Sequence, residues 1–137
     1  MQHKTGTPVS ALWSAAHGGD RPTISRLIVE GVDVNIWDKW GRTALLFAAS
    51  TGNLEIAQDL LRAGAWVDAH EDYDVYDSPL MRAAIRGDRD MVAFLLSAGA
   101  DPTRHVGVSQ QTAANYARLD HPEIAALLEA AEDANRA

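Results

Sequence analysis

The sequence predicts an all-α solenoid of stacked helix-turn-helix units, and three observations lead there. The first is self-similarity: 33 residues separate Leu12 from Leu45 and also Gly19 from Gly52, and further apolar positions keep the same register. The second is short apolar runs at helical spacing, such as Ile56, Ala57, Leu60 and Leu61, with Gly64 placed to end the helix as a left-handed cap. The third is the use of alanine pairs, Ala15 and Ala16, Ala48 and Ala49, Ala83 and Ala84, whose small side chains suit closely stacked helices. One such hairpin cannot bury both of its faces, whereas stacked copies can.

Residues 1–9 are polar and are expected to be a loose N-terminal segment, with Thr7 and Pro8 leading into the first repeat. The repeat domain then covers 10–137, with units at about 10–37, 38–69, 70–103 and 104–131 and a polar tail. In the first unit Ser10, Leu12, Ala15, Ala16, Gly19, Ile24, Leu27, Ile28 and Gly31 fall in register, and Pro22 sits in the first turn of the second helix, where it displaces no hydrogen bond. In the second unit Thr43 starts a short helix, Gly52 lets the chain reverse, and a second helix runs from about Leu54 to Ala63. The third keeps Ser78, Pro79, Leu80, Ala83, Ala84, Gly87, Met91, Val92, Leu95, Leu96 and Gly99, but Leu80 lies 35 residues beyond Leu45, so two extra residues have entered the preceding loop. The fourth is degenerate: Thr112, Ala113, Ala114, Ala117, Ile124, Leu127 and Leu128 hold the pattern without a glycine after the first helix. Ile124 follows Ala117 by seven residues where Ile56 follows Ala48 by eight. A terminal unit needs only one buried face, and its second helix ends in the polar EDANRA.

The central unit, with Gly41, Thr43, Leu45, Ala48, Ala49, Gly52, Ile56, Leu60, Leu61 and Gly64, reads D-x-x-G-x-T-x-L-x-x-A-A-x-x-G-x-x-x-I-x-x-x-L-L-x-x-G and resembles the ankyrin repeat. The resemblance to ankyrin-repeat proteins, with a bacterial protein in view, covers about residues 7–131. It implies an ankyrin-repeat solenoid with outward finger loops, and a scaffold that binds another protein through its concave face and fingers. Trp13, Leu46, Met81 and Asn115 stand where the family commonly has histidine, and Trp66 stands where it usually has aspartate. Those finger bases are expected to be held by packing.

Mapped through the motif, the partner-binding candidates of the second finger are Trp37, Lys39, Trp40 and Arg42, with Phe47, Ser50 and Thr51 on the helix that follows. The next unit offers Glu71, Asp72, Tyr73, Asp74, Tyr76 and Asp77 on its finger, beside His70 and Val75, and Arg82, Ile85 and Arg86 on its helix. Ser14, His17, Gly18 and Tyr116 extend the face. Aromatic side chains anchor interfaces, and surrounding charges orient a partner. The competing account is that Trp37 and Trp40 fold down to cover gaps between repeats. Trp13 and Trp66 are assigned to packing, and His17 and His121 to helix ends or exposed positions.

Composition narrows the class. The chain has 137 residues, 47% of them hydrophobic, no cysteine and a net charge of −7. That excludes disulfides, thiolate metal sites and cysteine nucleophiles, and argues against a general nucleic-acid binder, which needs phosphate-neutralising cations on one face. No apolar run is long enough to span a bilayer. The expectation is a soluble, cytoplasmic protein without cofactor, of open oligomeric state, whose partner is another protein and, from the acidic balance, a basic one. Walker, dinucleotide, G-x-S-x-G and H-E-x-x-H motifs are all missing, so no enzyme chemistry is expected. The acids of the third finger lack the glycine and terminal glutamate of a calcium loop, and His70 with His105 lacks a third ligand, so no metal site is expected and a metal-dependent hydrolase ranks last. An adaptor and an inhibitor, for example an immunity protein neutralising a basic toxin or enzyme, both fit the sequence.

Overall fold

A computed structural model describes residues 8–68, 78–104 and 110–136. Among these residues the chain forms eight helices in four consecutive pairs: α1 (Pro8–Gly18) with α2 (Arg21–Val29), α3 (Ala44–Thr51) with α4 (Leu54–Arg62), α5 (Pro79–Arg86) with α6 (Arg89–Ser97), and α7 (Ala113–Ala117) with α8 (Pro122–Arg136). Each pair packs as an antiparallel hairpin. The first helices then stack in line, α1 on α3, α3 on α5 and α5 on α7, while α2 meets α4 and α6 meets α8 in a second row.

The local chemistry recurs with the repeat. Thr43, Ser78 and Thr112 each cap a first helix, their hydroxyl accepting from the backbone N–H of Leu46, Met81 and Asn115 respectively. The first helices of the first three units end at Gly19, Gly52 and Gly87, all left-handed with φ of 76°, 79° and 77°. There the next residue turns back: Asp20, Asn53 and Asp88 donate to the carbonyls of Ala15, Ala48 and Ala83. In the fourth unit His121 donates to Ala117 instead, one residue closer, which is the shortening visible in the sequence. Without a glycine α7 stops after 5 residues, and Leu119 in the turn is left 93% exposed.

Between the two rows of helices runs one continuous core. Leu12, Leu45, Leu80 and the alanine pairs line its inner side, and Ile24, Leu27, Ile56, Leu60, Met91, Leu95, Ile124 and Leu128 its outer side, all buried. Burying each large aliphatic side chain is worth about 1.5–3 kcal/mol, and the alanines let the first helices lie close enough to share it. The start differs from expectation: α1 begins at Pro8, so Ser10 lies within the helix, and Val9 is buried. A proline is tolerated in the first turn of a helix, so Pro8 can open α1 two residues before Ser10.

The repeats are also tied through their loops. Asn35 donates from Nδ2 to the carbonyl of Gly64 (2.9 Å) and accepts from the backbone N–H of Trp66 (2.7 Å). One repeat on, Asp68 accepts from the N–H of Asp101 (3.2 Å). Because the backbone of Trp66 is held by Asn35, its own side chain is not needed to hold the loop. Asp33 and Asp101, at the equivalent positions, do turn their carboxylates onto the backbone two residues later.

Candidate functional site

The second finger, between α2 and α3, is organised by Asp38. Its Oδ1 accepts from the N–H of Trp40 and of Arg42 (3.0 Å each), and its Oδ2 accepts from Arg42 Nε at 2.8 Å. Backbone bonds from Asp38 to the Arg42 carbonyl and from Gly41 to the Asp38 carbonyl close the turn, with Gly41 at φ 79°. A side chain that short, accepting from two residues ahead, is the ordinary chemistry of an aspartate turn. At the base of the finger, Trp13 donates from its indole Nε1 to the carbonyl of Ile36 at 3.1 Å. It thus does by hydrogen bonding what the sequence reading gave to packing alone.

The turn projects three candidates with defined geometry. Trp40 is 45% exposed, with Lys39 Nζ 4.3 Å and Arg42 Cζ 4.6 Å from its ring centroid. Arg42 also lies 5.0 Å from the centroid of Phe47, whose ring stacks on His17 at 5.8 Å. Each such cation–ring contact is worth about 0.5–1 kcal/mol at an exposed site, enough to bias the long side chains toward one arrangement. Together Trp13, Trp37, Asp38, Lys39, Trp40, Arg42 and Phe47 line a cleft of about 470 Å³ that opens to solvent.

Trp37 and Trp40 therefore have different surroundings. Trp37 is half-buried and tilts against Trp66 with ring centroids 6.3 Å apart, bridging two successive loops as the packing account expects. Trp40 stays at the mouth of the cleft. Trp66, expected to be a packing residue, is 47% exposed: it meets Trp37 on one side and leaves much of its ring to solvent. His17 is also more than an exposed helix end, because its ring covers Phe47.

Arg82 and Arg86 lie exposed on α5, at the positions equivalent to Phe47 and Thr51 of α3. Arg86 reaches back over the turn of the preceding unit, so that a Cβ built on Gly52 would stand 2.8 Å from its Nε. Glu71, Asp72, Tyr73, Asp74, Tyr76 and Asp77 lie outside the described residues, as do His70 and His105. Among the described residues no group of three or more histidines and carboxylates is placed to hold a metal ion, and no helix is long and apolar enough to cross a membrane.

Sequence reasoning did not single out Asp38 or Trp13 as parts of the site. Asp38 stood only as the first letter of the repeat motif, though its spacing to Trp40 and Arg42 is the signal of an aspartate turn. Trp13 was visible as a departure from histidine, and its indole N–H is the donor that keeps the position polar.

Comparison with known proteins places these features in context. A family model of ankyrin repeats, three copies long, matches residues 11–106. An ankyrin repeat, SAM and basic leucine zipper domain-containing protein 1 of Dasypus novemcinctus is 30% identical over 114 residues, which make up 80% of this chain and 24% of that relative. An ankyrin repeat-containing protein of Treponema pallidum is 35% identical over 113 residues, covering 81% of this chain and 37% of its own. The human mitochondrial disaggregase is 41% identical over a shorter stretch, 64 residues, or 47% of this chain and 9% of that protein. The chain thus spans about a quarter of the length of the first curated relatives it matches.

Proposed function

Because this chain belongs to the ankyrin-repeat family, we propose that it acts as a non-catalytic interaction module whose partner protein docks across the second finger, the part-buried outward side of α3 and the exposed side of α5. The observation that carries this reading is the half-exposed Trp40, held at the mouth of a preformed cleft by Lys39 and Arg42. An indole in that state offers a large, rigid contact area, and little ordering entropy remains to oppose binding. Arg82 and Arg86 extend the face along the stack, as does Phe47 in the lining of the cleft. Glu71, Asp72, Tyr73, Asp74, Tyr76 and Asp77 join it as the next finger, on the support of their composition and place in the repeat. The expectation of a basic partner rests on those acids and on the overall charge, whereas the described finger presents cations.

Capture from a lysate of the source organism tests the reading, with wild-type protein beside a folded variant carrying Trp40→Ala and Arg86→Ala. A partner bound by the wild type should lose about 1–3 kcal/mol of affinity in Trp40→Ala alone, with thermal stability nearly unchanged. A partner captured equally by both would put the interface elsewhere on the molecule.

A further inference from the structure

The cleft has a polarity that the net charge of the chain does not suggest. On a protein of net charge −7, its wall carries Lys39 beside the ion pair of Arg42 with Asp38, and Arg86 lies on the next helix of the same face. Aromatic clefts often receive cations, because ring faces attract positive charge. Here the chain's own cations already cover those faces: Lys39 and Arg42 lie over Trp40, and Arg42 also over Phe47. An incoming ammonium or guanidinium group would meet the charge of Lys39 before reaching the ring of Trp40, and on Phe47 an Arg42 whose charge Asp38 balances. An incoming carboxylate would meet N–H donors backed by aromatic carbon, and an apolar side chain beside it would reach the indoles of Trp13 and Trp40.

We infer that the second-finger cleft binds an acidic peptide segment of a partner protein, one with carboxylates flanking an apolar anchor residue. The inference rests on the interaction-module reading and adds the chemistry of the occupant. Charge complementarity selects it, with a carboxylate set against Lys39, the Asp38-paired Arg42 beside it, and the apolar anchor against Trp40. A single-stranded nucleic acid, which also combines anions with stacking groups, is disfavoured by the overall negative charge and by Asp38 in the cleft wall, where a phosphate chain needs a continuous run of cations.

The test uses the full chain and short synthetic peptides with a central leucine flanked by glutamates, by lysines or by glutamines, together with an oligouridine. Binding is read by anisotropy and by the indole resonance of Trp40. The glutamate peptide should bind best and shift the Trp40 signal, with the lysine peptide at least tenfold weaker. Lys39→Glu, an exposed change that leaves the core untouched, should weaken the glutamate peptide tenfold or more and reduce its salt dependence. Preference for the lysine peptide, indifference to Lys39→Glu, tighter binding of oligouridine, or no binding of the glutamate peptide would each overturn the acidic assignment. If the glutamate peptide fails while a captured protein partner is still lost on Trp40→Ala, the module reading survives without it; if both fail, both readings fall.

Discussion

Asp68 and Asn35 occupy equivalent places in successive repeats and use the same atom for the same purpose, an Oδ1 accepting a backbone N–H from the next loop. Only one of them carries a charge. Burial raises the pKa of Asp68 above its ordinary value of 3.8, and the Asp101 N–H and the charge of Arg104 offset this only in part. A carboxyl group raised in the folded state favours folding while protonated, and that contribution is lost as pH rises through the raised value. At neutral pH Asp68 is therefore a cost that Asn35 does not bear. Asp68→Asn keeps the acceptor and removes the charge, so the variant should be more stable than the wild type at pH 7, with the difference closing as the pH falls towards 4. Urea unfolding at the two pH values checks this. A wild type that is the more stable at pH 7 would mean that attraction to Arg104 outweighs burial.

Helix ends are the elements on which the repeat is built, and their glycines are not equivalent. Gly64 and Gly87 both adopt positive φ, 96° and 77°, but a Cβ at Gly64 meets nothing within 4 Å, while one at Gly87 would come 2.3 Å from the His121 ring. Gly64→Ala should therefore cost only the backbone strain of about 1–2 kcal/mol, and Gly87→Ala should cost more because the imidazole must move. His121→Ala should recover the excess and none of the strain, which a double-mutant cycle of thermal unfolding measures. The helices, their glycine stops and the degenerate fourth unit were legible in the sequence because they depend on neighbours a few residues apart and on a period that repeats. The start of α1 was not, since Pro8 and Val9 fall before the first residue that the repeat pattern fixes. In the candidate site, Trp40 and Arg42 were legible as finger residues, but their division of labour with Trp37 was not. Which indole tilts onto Trp66 and which stays in solvent depends on loops 29 residues apart, Trp37 and Trp66, and no local spacing encodes it.

Across the whole molecule, contact runs mainly between neighbours, so the consequence of losing one side chain depends on where it sits in the stack. Leu80 and Leu128 are both fully buried, and either changed to Ala should cost about 2–5 kcal/mol locally. Leu80 lies on α5, which packs against α3, α6 and α7, while Leu128 lies on α8, which meets α6 and α7 at the end of the row. Leu128→Ala should loosen the last unit and leave α1 to α4 protected from amide exchange, with the Trp40 cleft intact. Leu80→Ala should lower protection on both sides of α5 and reach the helices that support that cleft. Hydrogen exchange read by mass spectrometry distinguishes the two, and a uniform loss of protection in both variants would show that four units are few enough to unfold as one body. Peptide binding gives the same comparison a functional reading. Because the second finger is held by Asp38 from within and by Trp13 from α1, it should keep its affinity when the far end frays.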